Sequence, residues 1–206
     1  MKAILLSIRP EWCDLIVQGK KTIEVRKTRP KLETPFKVYV YCTKCPQHII
    51  TIFKDGEEIA DGEIHHGKPV FVKCDKCLPK GIRNKTQTVI GEFICDGIEN
   101  VVIPYPAYQN ELDTKFILSS GVLYTQLHRY ASSGKTRHDL FFWHISNFKL
   151  YEEPVRLKDF WAIQPCTHRG DCCTCRRWDA EKLICRGEVF GIERPPQSWC
   201  YVEDGR

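Results

Sequence analysis

Gly19-Lys20-Lys21-Thr22-Ile23-Glu24-Val25-Arg26 decides how the rest of this chain is read. It joins the end of a predicted helix to the start of a predicted strand. Upstream, Pro10 suits the first turn of a helix, where its missing N–H costs nothing. Glu11 and Asp14 favour the helix start through the dipole. Trp12, Leu15 and Ile16 make one apolar face at i, i+3, i+4 spacing. Gly19 stops the helix. Thr22, Ile23 and Val25 then favour a strand. Strict alternation puts Lys20, Thr22, Glu24 and Arg26 on one face, with Ile23 and Val25 on the other. Lys21 lies at the turn, so alternation does not fix its direction. Charges so spaced belong to a site or to an exposed strand-surface ion-pair network.

Working outward, residues 3–8 read as a buried strand. Phe36 to Tyr41 alternates and predicts the next one. Thr88 to Cys95 predicts another. Ser119 to Tyr130 is a predicted helix with Ser119 or Ser120 as N-cap. Leu140 to Ile145 and Phe148 to Tyr151 read as strands separated by a bulge or bend near Ser146-Asn147. Strands outnumber helices, and the order fits an α+β fold, a mixed and partly closed β-barrel with helices at its mouth, better than a doubly wound sheet. The main domain is expected over 1–155, interrupted by an insertion at about 42–87. A hairpin is expected there, turning at Lys54-Asp55-Gly56-Glu57. Residues 156–206, rich in Cys, Arg, Trp and Pro, read as a C-terminal appendage.

The 206 residues are 42% hydrophobic and 28% charged, which suits a globular chain with a sizeable core. No run approaches the ~18 apolar residues of a membrane span, and Ala3 to Ile8 is too short for a signal-peptide core. A cytoplasmic protein without a membrane partner is the expectation. The net charge is +5, and Lys20 to Lys37 alone holds seven Lys or Arg against Glu24 and Glu33. That run reads either as a solvated face or as a surface for nucleic acid.

Twelve cysteines in a reducing compartment read first as metal ligands. Cys42-x-x-Cys45 and Cys74-x-x-Cys77 form two knuckles with the make-up of a tetrahedral zinc site. Cys166, Cys172, Cys175 and Cys185 are a less regular second set, with Cys173 or His168 as substitutes. One or two structural zinc ions are therefore expected, stapling the insertion and the appendage. Cys13, Cys95 and Cys200 are isolated and read as small buried hydrophobes.

The octapeptide resembles the G-x-K-x-x-E-x-R signature of ASCH domains. Leu6-Ser7-Ile8-Arg9-Pro10, Val89-Ile90-Gly91-Glu92-Phe93 and Trp143-His144-Ile145 are similar to strands these proteins share. Arg194-Pro195-Pro196-Gln197-Ser198-Trp199-Cys200-Tyr201 resembles the tail of a bacterial and phage subgroup. The resemblance implies a PUA-like barrel whose relatives mostly bind RNA. By position, Gly19, Lys21, Glu24 and Arg26 would line the ligand cleft. Apart from the resemblance, His144 beside Trp143 reads either as a base or stacking platform reaching that cleft or as a satisfied structural histidine on a strand. Some ASCH proteins resemble acetylcytidine amidohydrolases or ribonucleases. In the amidohydrolase group a Thr stands where this chain has Glu24, and it is the proposed nucleophile. Thr22 is not at the matching position.

Three functions follow as expectations. The first is an RNA- or nucleotide-binding protein. Arg and Lys suit a phosphate or base carbonyl, and Glu suits an exocyclic amine. The second is a hydrolase acting on a modified nucleoside or RNA, with Lys21 and Glu24 as its catalytic pair. Lys21 would then need a pKa lowered by burial. The third is a protein-interaction adaptor.

Overall fold

The computed structural model describes residues 2–44, 48–52, 58–59, 69–72, 82, 85–103, 114–132, 139–164, 178–179, 184–185 and 188–204. Strand β1 (Lys2–Ile8) leads into α1 (Pro10–Val17), then β2 (Ile23–Arg26) and β3 (Phe36–Cys42). The insertion carries β4 (His48–Ile52), β5 (Glu58–Ile59) and β6 (Pro69–Val72), paired in the order β5-β4-β6. Next come β7 (Thr88–Cys95), β8 (Ile98–Val102), α2 (Thr114–Ser120), α3 (Tyr124–Ser132), β9 (Asp139–His144) and β10 (Ser146–Val155). The last strands are β11 (Trp161–Gln164), β12 (Trp178–Asp179), β13 (Ile184–Cys185), β14 (Glu188–Gly191) and β15 (Trp199–Glu203).

A seven-stranded sheet in the order β10-β7-β3-β1-β15-β11-β14 forms the frame. A second, three-stranded sheet runs β2-β9-β8. Strand β1 is central and parallel to β3 but antiparallel to β15. Its apolar run from Ala3 to Leu6 follows from burial on both faces, with Ser7 as the polar exception. Ile4, Leu6 and Ile8 join one core with Val38, Val40 and Phe93. Ala3 and Leu5 join a second core with Tyr39, Phe160 and Val202. A third core packs Ile23 and Phe142 of the small sheet against Leu127 and Ala131 of α3. Trp143, adjacent to Phe142 on β9, belongs to the first core. The small sheet is thus a wall between two cores.

This arrangement aims the octapeptide. Ile23 and Val25 pack into the third core, so Glu24 and Arg26 lie on the side facing the large sheet. Helix α1 ends in a Schellman motif. Gly19 N–H donates to Ile16 O at 2.9 Å and Lys20 N–H to Leu15 O at 2.9 Å. Gly19 has φ of +69°, which an L side chain tolerates poorly. The turn it permits brings Lys21 back under the helix.

Three sequence expectations change. The helix expected over Ser119 to Tyr130 is two helices broken at Gly121, which has φ of +66°. A Cβ there would come within 2.9 Å of Leu15 Cδ1, so α2 closes directly on α1. The C-terminal region is no separate appendage, because β11, β14 and β15 extend the large sheet. The expected hairpin is present as antiparallel β4 and β5, although residues 53–57 of its turn lie outside the described residues.

The zinc expectation is also corrected. Among the described residues, no group of three or more His, Cys, Asp or Glu is placed to hold a metal ion. Cys42 shares the strand face of Val38 and Val40 and is buried in the first core, a consequence of strand alternation that its C-x-x-C spacing concealed. Cys45, Cys74, Cys77, Cys166, Cys172 and Cys175 lie outside the described residues. Of Cys185 only the backbone, in β13, is described. Cys13 and Cys95 are buried, as expected of small hydrophobes, and Cys200 is half-buried.

The outer face of the large sheet carries a clasp on the last strand. Asp204 accepts from Lys37 Nζ and from the Tyr39 hydroxyl, both at 2.9 Å. Desolvation alone would raise the Asp204 carboxyl, but these hydrogen bonds outweigh it and hold the group below the usual aspartate range. The fold therefore favours the ionised form. Its contribution is complete above the unfolded pKa of about 3.9 and is lost as pH falls through the lower folded value. Asp204→Asn is expected to flatten the stability curve below about pH 4, read as urea midpoints against pH. Gly91→Ala is expected to cost more than most surface changes, about 1–3 kcal/mol by overpacking. Its Cβ would lie 2.3 Å from Lys149 O on the neighbouring strand.

Candidate ligand cleft

Lys21 is 2% exposed, an extreme burial for an ammonium group. An ammonium carries three N–H donors, and the fold presents three acceptors. Lys21 Nζ donates to Ile23 O at 2.8 Å and to Ser120 O at 2.7 Å. Glu24 Oε2 lies 3.2 Å away. The Trp12 ring lies below the same ammonium, its centroid at 5.4 Å. Burial lowers the Lys21 pKa, the Glu24 carboxylate opposes that shift, and Arg26 adds to it. Ser120 O is one of the orphan carbonyls ending α2, where a cation is favoured.

Glu24 is shared. Its Oε1 accepts from Arg26 Nη2 at 2.9 Å. The same Nη2 donates to Ser7 O at 2.6 Å, and Nη1 donates to Ser198 Oγ at 3.3 Å. Ser7 Oγ donates to Pro196 O at 2.7 Å, and Ser7 N–H donates to Ser198 O at 2.9 Å. A chain of contacts therefore runs from α2 through Lys21, Glu24 and Arg26 to β1 and the C-terminal segment. Arg26 Nε is buried without a hydrogen-bond partner among the described residues.

These groups form part of the lining of a cleft of about 810 Å³. That volume lies within the ~300–1,000 Å³ range of small-molecule sites. Trp12 and Arg9 bound one side, Gln126, Arg129 and Tyr130 of α3 another, and Pro195 to Gln197 a third. Lys27 Nζ stands over the Tyr130 ring at 4.8 Å from its centroid.

Of the residues expected at the cleft, Lys21, Glu24 and Arg26 come together there. Gly19 shapes the turn behind them and is not part of the lining. Trp143 is fully buried and packs edge-on against Phe36, so it supports the floor from the core rather than facing a ligand. His144 sits beside Gly97, its Nε2 at 2.5 Å from Glu99 Oε1, and is not part of the cleft lining. Alternation on β9 separates it from Trp143. Gln126, Arg129 and Tyr130 carried no motif of their own. Ser7 and Ser198 lay in the Leu6–Pro10 and Arg194–Tyr201 segments that resembled the family, which pointed to their surroundings but not to these contacts.

The ASCH domain model matches residues 6–111, more than half of the chain. This chain belongs to the ASCH domain family. Its fold is similar to the crystal structure of ASCH from Zymomonas mobilis, at 14% identity and a TM-score of 0.52, over 98% of this chain and 88% of that one. A Tyr-to-Phe mutant of that protein matches at 14% identity and a TM-score of 0.52, over 99% and 92% of the two chains. A Ser-to-Ala mutant matches at 14% and 0.53, over 98% and 89%. Comparison with curated proteins gives no match. The mixed, strand-dominated α+β architecture is that of the ASCH and PUA-like fold. No described helix is long and apolar enough to cross a membrane.

Removing Lys21 leaves the carbonyls of Ile23 and Ser120 without their donor. Lys21→Ala is expected to destabilise the protein by about 3–5 kcal/mol in urea unfolding, the cost of breaking a buried charge pair. A loss below about 1 kcal/mol would show that the ammonium is not the keystone of the floor.

Proposed function

We propose that this ASCH domain binds RNA or a nucleotide in the cleft floored by Lys21, Glu24 and Arg26. The observation that carries the reading is a pre-organised, ion-paired floor inside an aromatic and cationic frame. Tyr130 and Trp12 offer rings on which a base can stack. Arg9 and Arg129 are exposed at the rim, where a phosphate would meet them without a large desolvation cost. The floor is rigid because its donors and acceptors are already fixed to backbone on three elements, so little ordering accompanies binding.

A hydrolytic reading has one support, the lowered pKa of Lys21. Against it stands the geometry. All three Lys21 donors point at acceptors, and losing a proton would leave a buried lone pair facing a carbonyl or a carboxylate. Glu24 also occupies the position where an amidohydrolase of this family carries a Thr. Recognition is therefore the better use of this site. The Arg194–Tyr201 tail supports a place in the bacterial and phage subgroup, since it builds one wall of the cleft and supplies Ser198 to Arg26.

Equilibrium binding of a mononucleotide and of short RNA at low salt tests the reading. Tyr130→Ala is expected to weaken binding by about 5- to 100-fold, the range of one lost base–aromatic stack. Arg129→Ala is expected to weaken it less and to reduce its salt dependence. No binding by the folded wild type, or binding indifferent to both substitutions, would sink the proposal.

A further inference from the structure

We infer that the main chain of Val25 is a specificity element of the cleft, a single hydrogen-bonding rung that takes the Watson–Crick edge of a base lying against Tyr130. This rests on the cleft reading above and adds to it how an unmodified base is told from one blocked on that edge. Among the described residues, the only strand paired with β2 is β9, so the other side of β2 is a free sheet edge. The N–H and C=O of successive residues on a strand point to opposite sides, so every second residue of β2 turns its main chain away from β9. Two bonds fix which ones. Ile145 N–H donates to Thr22 O at 2.8 Å, so the main chains of Thr22, Glu24 and Arg26 point to β9. His144 N–H donates to Gly97 O at 2.9 Å, away from β2, so its cross-strand neighbour Ile23 points its main chain to the free edge, and so does Val25.

That free edge runs along the cleft. Residues from both faces of β2 line it, Glu24 and Arg26 on one face and Val25, packed with Leu127 of α3, on the other. The groups on either side of Val25 along the edge are already taken. Ile23 O accepts from Lys21 Nζ at 2.8 Å, and Lys27 N–H donates to the Tyr130 hydroxyl. Between them, the N–H and C=O of Val25 have no partner among the described residues. One donor and one acceptor side by side are what a single residue of an antiparallel partner strand would use. A peptide strand needs the neighbouring rungs as well, and Lys21 and Tyr130 close both. A base needs only one rung. Its Watson–Crick edge carries an acceptor next to a donor, and the Tyr130 ring stands beside the rung as a surface to stack on. A methyl group on the ring nitrogen of that edge would remove one of the two hydrogen bonds and press carbon against the Val25 main chain.

The test measures equilibrium binding of the four ribonucleoside monophosphates to the wild type, then of the tightest binder methylated on the ring nitrogen of its Watson–Crick edge. Methylation is expected to weaken binding on the order of tenfold or more, since a polar group of the rung is left unpaired. Val25→Pro removes only the N–H that faces the cleft, a change that an edge strand tolerates because the ladder does not use that group. The variant is expected to bind the unmodified nucleotide about 5- to 100-fold more weakly. Its salt dependence is expected to stay as in the wild type, because no phosphate contact is lost. Circular dichroism and the urea midpoint check that the variant is folded, and the methylated ligand decides the matter on the wild type alone if it is not. Equal affinity of the wild type for the methylated and unmodified nucleotides would overturn the rung while leaving the cleft reading intact. A folded Val25→Pro chain that binds as the wild type does would overturn it as well. A wild type that binds no mononucleotide would overturn the cleft reading and this inference with it.

Discussion

Three charges are buried together between two sheets, and the fold is arranged around keeping them there. Lys21, Glu24 and Arg26 are each at most 9% exposed. Removing one such ion from water costs several kcal/mol, and mutual attraction offsets that only when the remaining donors and acceptors are also met. Here they are met mainly by backbone. Lys21 takes carbonyls from β2 and the end of α2, and Arg26 takes the carbonyl of Ser7 on β1. Because those acceptors belong to different elements, the charge group is also a staple that sets their relative positions. A surface ion-pair network of the same sequence would do neither.

Two features of the frame make this arrangement reachable. The αL glycine at position 19 ends α1 sharply enough to bring Lys21 beneath Trp12. The last strand returns to pair with the first, which carries Ser198 to the guanidinium of Arg26 and Pro196 to the hydroxyl of Ser7. The cleft is thus built from both ends of the chain, and its walls come from α1, α3 and the segment before β15. The clasp of Asp204 on Lys37 and Tyr39, on the outer face, holds that last strand in place.

Much of this was legible in the sequence, for physical reasons that differ between elements. The strand at 3–8 showed itself because burial on both faces demands a near-continuous apolar run, which Ser7 alone interrupts. Glu24 and Arg26 were placed on one face by alternation, and the bend near Asn147 is present, with φ of +50° there. Lys21 was not placed, because it sits in a turn where no period applies. The helix break at Gly121 was missed because the residues on both sides favour helix, and the close approach to Leu15 that requires glycine is a tertiary contact. Cys42 was read as a metal ligand from a four-residue spacing, while its place on β3 made it core. Trp143 and His144 were both sent to the cleft, although neighbours on a strand face opposite ways. Ser7 and Ser198 lay in segments that resembled the family, but their contacts with Arg26 and with one another depend on strands far apart in sequence, and Arg129 left no local signature at all.

The central claim is that Lys21 is a fixed, charged part of a recognition floor rather than a base awaiting a substrate. Nitrogen-15 NMR of the Lys21 side chain at neutral pH tests it most directly. The account predicts an ammonium whose three protons exchange slowly with water, held by two carbonyls and a carboxylate. A neutral amine at that pH, with no protected protons, would contradict the account and return the site to catalysis.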